Sequence, residues 1–235
     1  MFIIDLAESL SVGASKAGNK AYNLALLEHA LDLNNIPRSI VLLVHEEKDD
    51  TIAIAEAIER VERNFTYPVI ARSSTNVEDS AYSFAGLFVS DICHSEDDLA
   101  TTIRNVLDSP MSDAVVQYCA FKRIDPTIIK TAVLIQEYIP PQMAGVLFTK
   151  HPVSNDRDVF YLEYKEKSSD AVTSGSHTPT GLIISKNDID EAPLQFKQLL
   201  SIATKAEEFF GYPLDVEWII SKDELWIVQV RQVTA

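Results

Sequence analysis

Cysteine is nearly absent: the 235 residues contain two, Cys93 and Cys119, in unrelated contexts and without the spacing of a metal-binding pair. Two isolated cysteines argue against a disulfide framework and read as free thiols in a reducing compartment. Long apolar runs are missing as well. None reaches the roughly 18 residues that a membrane-spanning helix needs, and the opening MFIIDLAESL lacks the basic start and long apolar core of a signal peptide. Positive charge is scarce, with 20 Lys and Arg against 35 Asp and Glu and a net charge of −15. That balance argues against nonspecific binding to nucleic acid or to an anionic membrane, while leaving room for a locally basic cleft. Repeats and low-complexity segments are absent. His29, His45, His94, His151 and His177 show no pairing that points to a metal or a catalytic base. What these absences leave is a cytoplasmic, enzyme-sized globular chain, whose 46% hydrophobic content is ample for a core.

What is present is a mixture of helical and strand patterns. SKAGNKAYNLALLEHALDL (15–33) reads as a Gly/Asn loop entering an amphipathic helix, with Leu24, Leu27 and Leu31 on one face. NNIPRSIVLLV (34–44) reads as a turn and a buried strand. DDTIAIAEAIERVERNF (49–65) predicts a helix with Asp50 or Thr51 as its cap. PVIARSSTNVEDSAYSFAGLF (68–88) begins as a buried strand and turns polar; LFVSDIC follows as a strand, and SEDDLATTIRNVLDS as a helix capped by Ser95. KTAVLIQEYIP (130–140) is a strand ending at Pro140-Pro141, AGVLFTKHPV and DVFYLEYK are strands, and LQFKQLLSIATKAEEFFGYPL holds a helix stopped by Gly211 and Pro213. The chain finishes in two alternating strands around a polar turn. Mixed elements with antiparallel hairpins in the second half predict an α+β fold in two lobes, with the Pro-Pro break as the point of relative motion.

Three places carry candidate chemistry. In the last hairpin, a three-residue turn Lys222-Asp223-Glu224 sets Glu217 opposite Gln229 and Asp215 opposite Arg231, all on one face. Val216, Trp218, Val228 and Val230 then form the core face. Carboxylate and amide oxygens are hard ligands for Mg²⁺, and arginine pairs with phosphate, so such a face suits a magnesium-polyphosphate site; a solvated outer face is the plain alternative. Second, Arg72 at a strand end followed by Ser73, Ser74 and Thr75 has the composition of a phosphate-binding loop, or else of a turn whose arginine pairs with Glu78 or Asp79. Third, Lys20 follows a Gly-Asn turn just before a helix N-terminus, a phosphate position or a surface charge.

The segments VIARSSTNVEDSAYSFAG, AGNKAYNLALL, VLIQEYIPPQMAGVLFTKHPVSND and LDVEWIISKDELWIVQVRQVT resemble, in order, four motifs of one family. It is the ATP-grasp nucleotide-binding domain of the phosphoenolpyruvate synthase and pyruvate phosphate dikinase family, which includes rifampicin phosphotransferases. The matched patterns are V-x-V-R-S-S-A-x-x-E-D with S-F-A-G, G-G-K-x-x-N-L, V-Q-x-M-V with S-G-V-x-F-T-x-x-P, and D-I-E-W with L-x-x-L-Q-x-R-P-I-T. The resemblance implies an ATP-grasp fold, two lobes (1–135 and 136–235) with the nucleotide site between them. It implies that Lys20 and Arg72, with Ser73, hold ATP phosphates, Lys16 being a weaker candidate than Lys20. Gln136, Glu137 and Ile139 would line the adenine hinge. Glu217 and Gln229 would bind Mg²⁺, Arg231 would contact phosphate, and Asp215 would support the ribose or the metal shell.

Two departures qualify the resemblance. Where the family has E-x-x-W-G-L-G-E-x-x-x-S-G, residues 163–175 read EYKEKSSDAVTSG: Glu163, Ser174 and Gly175 match, while Lys167, Ser168, Ser169 and Asp170 replace the glycine loop. Glycine allows close backbone approach to phosphate, so ATP would be held differently there. His177 in TSGSHT is read as a loop histidine. The family's phosphohistidine and phosphoenolpyruvate-binding domains have no counterpart in these residues, so the acceptor is expected on a separate protein or a small molecule. The implied function is an ATP- and Mg²⁺-dependent phosphotransferase subunit. An ATP-grasp carboxylate ligase and a non-catalytic ATP-binding or partner-binding module are the alternatives.

Overall fold

The computed structural model describes residues 3–43, 50–77, 84, 86–166 and 179–233. The chain divides into two compact units, one of Met1–Leu26 with Pro37–Tyr138 and one of Leu27–Ile36 with Ile139–Ala235. Each is built on a five-stranded, wholly antiparallel sheet. The α+β expectation therefore holds.

The first unit's sheet has the order β1 (Ile3–Asp5), β2 (Ser39–Leu42), β5 (Thr131–Glu137), β3 (Val69–Thr75), β4 (Ser90–Cys93). The alternation of β3 and β5 sends Val69, Ala71, Val133 and Ile135 to one face, where they pack with Ala53, Ile54, Ala57 and Val61 of α3 (Asp50–Asn64) and Leu99, Ile103 and Val106 of α4 (Glu96–Asp108). Both helices were legible because their apolar residues recur every three or four positions. Ser95 caps α4 as expected, its hydroxyl accepting from the Asp98 amide at 3.2 Å. Helix α3 already includes Asp50 and Thr51 in its first turn, so neither is the residue that precedes it as the sequence reading expected, and the position before Asp50 lies outside the described residues. LFVSDIC is a strand only from Ser90; Leu87 and Phe88 instead pack with Phe84 and Tyr118 around Val115 and Cys119 of α5 (Asp113–Lys122). The sequence pattern missed α5 because its apolar residues go all the way round: Val115 and Cys119 are buried, Val116 and Phe121 exposed. Both cysteines are free, and burial pushes both thiols up from their ordinary pKa.

The second unit's sheet has the order β10 (Glu224–Gln232), β9 (Leu214–Ser221), β6 (Met143–Phe148), β7 (Val159–Glu166), β8 (Thr180–Ser185). Its core face is covered by α6 (Leu194–Phe210), where Phe196 meets Trp218 edge-on at 5.6 Å and Tyr164 at 5.1 Å. Gly211 ends α6 in the left-handed conformation at φ 77°, its N–H donating to the Glu207 carbonyl at 2.8 Å, the glycine stop the sequence predicts. Strands β1 and β8 are additions to the sequence reading, three and six residues long. Among the described residues no helix is long and apolar enough to cross a membrane.

Candidate functional site

The first group of site residues is set by a break in α2 (Ala14–Leu31). Gly18 leaves the helical conformation at φ 74°, ψ 162°, and the helix restarts after it, with Lys20 in the first new turn. That turn exposes backbone amides with no helical partner. The Ser74 hydroxyl takes one of them, accepting from Ala21 N at 3.1 Å and donating to the Ala17 carbonyl at 2.8 Å. Ser74 therefore stitches the two halves of the broken helix to β3. Only glycine fits at the break, since a Cβ on Gly18 would stand 1.9 Å from the Ser74 carbonyl oxygen.

This corrects the reading of residues 72–75 as a strand end opening into a phosphate loop. Strand β3 continues through Thr75, with Ser73, Ser74 and Thr75 opposite Val133, Ala132 and Thr131 of β5. All three hydroxyl residues are buried. Alternation puts Ser73 and Thr75 on the helix-covered face with Val69 and Ala71, so Ser73 does not share a face with Arg72. Arg72 and Ser74 share the other. Lys20, half-buried, and Arg72 are thus tied to one stretch of structure through Ser74, while Lys16 is exposed.

Gln136 stands on the Arg72 face and is fully enclosed at 1% exposure; its side-chain oxygen accepts from Arg72 Nη1 at 3.5 Å and its amide nitrogen donates to Ser39 Oγ at 3.2 Å. Glu137 closes β5, its N–H donating to the Arg38 carbonyl at 2.9 Å. Ile139 is buried and belongs to the second unit, whereas Gln136 and Glu137 belong to the first. Glu78, Asp79, Ala85, Lys167, Ser168, Ser169, Asp170, Ser174, Gly175 and His177 lie outside the described residues.

The second group lies on the face of the second sheet turned away from α6. Glu217 stands opposite Gln229 and Asp215 opposite Arg231, as alternation requires, but by a different route from the three-residue turn. The turn has two residues: Lys222 and Asp223, both at positive φ (51° and 62°), connect the pair Ser221–Glu224. A register shift between Ile227 and Gln229 makes Val228 an extra residue and restores the pairing that the shorter turn would have lost. Ile227, opposite Trp218, takes the core place expected of Val228.

Arg231 grips one oxygen of Asp215 with two nitrogens, Nε at 2.8 Å and Nη2 at 2.6 Å from Oδ2. Asp215 is only 4% exposed, and its other oxygen, Oδ1, is buried with no hydrogen-bond partner. Burial pushes its carboxyl above the ordinary carboxylate range; Arg231 pulls it back and the Glu217 charge adds to the rise. An unpartnered buried carboxylate oxygen next to Glu217 and the Gln229 amide is a donor set that fits a hard cation. Among the described residues no group of three His, Cys, Asp or Glu is arranged to hold a metal.

The same face continues along the two rungs through Phe148 and Val146 to Tyr161 and Glu163. Tyr161 donates to Glu163 Oε1 at 2.7 Å, a bond that raises the phenol's pKa, and its ring lies 4.9 Å from that of His151. Ser39 and Tyr161 are the residues that reading the sequence passed over. Alternation alone could have placed Tyr161 beside Glu163; nothing in the sequence pairs Ser39 with Gln136.

The family "pyruvate phosphate dikinase, AMP/ATP-binding domain" matches residues 32–195 and 189–235. The match takes in Arg72, Gln136, Asp215, Glu217, Gln229 and Arg231, and begins after Lys20. A rifampicin phosphotransferase of Bacillus cereus is 25% identical over 234 residues, taking in 84% of this chain and 26% of that protein. A probable phosphoenolpyruvate synthase of Pyrococcus horikoshii is 24% identical over 279 residues, 99% of this chain and 33% of that one. The chain thus spans about a quarter to a third of the length of these relatives. Among solved structures, D-alanine–D-alanine ligase from Bacillus anthracis complexed with ATP aligns with 97% of this chain and 58% of its own, at 10% identity and a TM-score of 0.46.

Proposed function

The chain belongs to the pyruvate phosphate dikinase AMP/ATP-binding domain family, and on that premise we propose that it is an ATP-grasp phosphotransferase unit. It binds ATP with Mg²⁺ and passes a phosphoryl group to an acceptor on a separate protein or a small molecule, in a cytoplasmic setting. The observation that carries the reading is the polar face of the second sheet, where Glu217 and Gln229 pair across the hairpin beside a buried Asp215 oxygen that lacks a partner.

In this reading Glu217 and Gln229 hold Mg²⁺, which when bound neutralises phosphate oxygens and keeps them in line for displacement. Asp215 fixes Arg231 through both its Nε and Nη2, so that the guanidinium reaches phosphate in one orientation with little further loss of entropy. Lys20 and Arg72 place positive charge on the phosphate chain. Transfer then breaks a phosphorus–oxygen bond in line with the incoming nucleophile, the electron pair leaving on the nucleotide. The protein's part is to position and to neutralise. Gln136, Glu137 and Ile139 are the hinge positions for adenine.

The test is nucleotide turnover by the purified chain with ATP and Mg²⁺, alone and with cell extract as a source of acceptor, followed by chromatography. We expect Mg²⁺-dependent loss of ATP that falls at least about 100-fold in Glu217→Gln, the scale of removing one group that stabilises transferring charge. The identity of the product, AMP or ADP, defines the half-reaction. ATP binding without turnover under either condition would support a non-catalytic module instead, and absence of both binding and turnover would overturn the reading.

A further inference from the structure

We infer that the groove between α3 and α4, on the helix-covered side of the first sheet, is a docking site for a basic amphipathic helix of a partner protein. The inference does not rest on the nucleotide site, because Arg72 and Ser74 occupy the other face of that sheet.

The two helices lie over one core and leave between them a groove of about 610 Å³. From α3 it is lined by Ile54, Ala55, Ile58 and Glu62, steps of three and four residues that keep to one helical face. The floor is apolar: Ile54 is buried, and Ile58 and Ala100 are half-buried and packed against the core. Ala55 on α3 and Ala100 on α4 are small, so a third backbone can come close. The lining runs along α3 from Thr51 to Glu62, about 16 Å at the rise of a helix, or three turns. Helices have no free backbone edge to which a strand could be added. The shape that fits is another helix, set ridge into groove.

Charge along the groove is uneven, and this selects the occupant. Glu62 in the last turn of α3 and Glu96 and Asp97 in the first turn of α4 gather at one end. Glu62 and Glu96 both act on the Tyr67 phenol, which burial and then these charges push up to about 12. Among the described residues none of the three carboxylates has a salt bridge or a side-chain hydrogen bond; Arg63 pairs with Glu59 instead. The helix dipole accounts for Glu96 and Asp97, since acids suit a helix start. It disfavours Glu62 at a helix end, and the like charges beside it add to the cost. Arg104 lines the groove two turns along α4 from Glu96, about 12 Å away. The complement is a helix with an apolar stripe, lysines or arginines over Glu62 and Glu96, and a carboxylate at the Arg104 end. Such a partner supplies the counter-charge that Glu62 lacks.

Fluorescence anisotropy with two labelled peptides of about 14 residues, enough for three turns, tests this. Both contain the same Lys, Leu, Ala and Glu residues. One gathers Leu and Ala on a single helical face with Lys toward one end and Glu toward the other, and its counterpart is scrambled to have no such face. We expect the amphipathic peptide to bind about tenfold more tightly than the scrambled one, to weaken with salt, and to gain helix by circular dichroism on binding. Ala55→Trp fills the groove without changing charge, and Glu62→Lys with Glu96→Lys reverses the acidic end. Each is expected to bring the preference close to parity. All three positions are exposed, so these changes leave the fold in place, and either variant decides alone should the other not fold. Equal binding of the two peptides would reduce the attraction to the net charge of −15 and overturn the inference. No binding, a bound peptide without helix, or a preference indifferent to both variants would overturn it as well. ATP turnover should be the same in the variants and wild type, so failure of the phosphotransferase reading and failure of the docking site are separate results.

Discussion

The two sheets of this chain place functional polar residues by opposite means. In the first unit, Arg72 is set among buried hydroxyls and an amide: Ser74 clamps the broken helix that carries Lys20, and Gln136 and Ser39 form a row behind the guanidinium. In the second, Asp215, Glu217, Gln229 and Arg231 owe their common face to strand register, restored by one extra residue at Val228. Internal struts make the first arrangement sensitive to single atoms. Register makes the second sensitive to chain length, and tolerant of side-chain detail away from the pairs themselves. The difference teaches that a serine beside a proposed phosphate arginine can be structural, and that a row set by register can hold a buried carboxyl, here that of Asp215, with one oxygen left without a hydrogen-bond partner.

The largest expected effect breaks the strut side. Gly18→Ala forces a Cβ to within 1.9 Å of the Ser74 carbonyl oxygen, so helix and strand must part. We expect a loss of roughly 3 kcal/mol or more, in the range of severe backbone and packing conflicts, read as a lower urea midpoint. A midpoint unchanged from wild type would mean that the helix break is not held against β3. Next in size is Ser74→Ala, which leaves the Ala21 amide and the Ala17 carbonyl without their shared partner. The cost should be about 1–2 kcal/mol, as for a lost helix cap or buried hydrogen bond. If the hydroxyl instead served phosphate, stability would hold and ATP affinity alone would fall.

The smallest effect sharpens the register side through pH. Burial raises the Asp215 carboxyl above its ordinary value of 3.8, so the folded chain holds that proton more tightly than the unfolded chain does. Its contribution to stability is complete below the ordinary value, declines as pH rises through the raised one, and is flat above it; the slope within that window is at most about 1.4 kcal/mol per pH unit. Asp215→Asn should flatten this part of the stability curve measured by urea unfolding across mildly acid pH. An unaltered slope would show that Arg231 already compensates the buried charge in full.

Much of this was legible in the residues because it rests on short-range rules. Period-3.6 patterns predict α3, α4 and α6, the Ser95 cap and the Gly211 stop follow from local backbone chemistry, and alternation sorts the last hairpin into a core face and a polar face. Misreadings occur where distant parts decide. Helix α5 has no apolar stripe because it packs on a small separate cluster around Phe84. Ser73, Ser74 and Thr75 look like a loop because hydroxyls are common in turns, yet β5 pairs with them residue by residue.

By itself, the order of residues determined the α+β character, the motif order that marks the family, and which residue types could hold magnesium and phosphate. The first and last are properties of periodicity and residue chemistry, readable within a window of a dozen positions, whereas the family rests on the resemblance of four motifs spread along the chain. Tertiary structure decided that Ser74 faces a helix 53 residues earlier in the chain, that Gln136 turns its oxygen to Arg72, and that Val228 bulges so that Glu217 can face Gln229. The first two depend on neighbours 53 and 64 positions away in sequence, and the third on how two adjacent strands pair, none of which a local preference encodes.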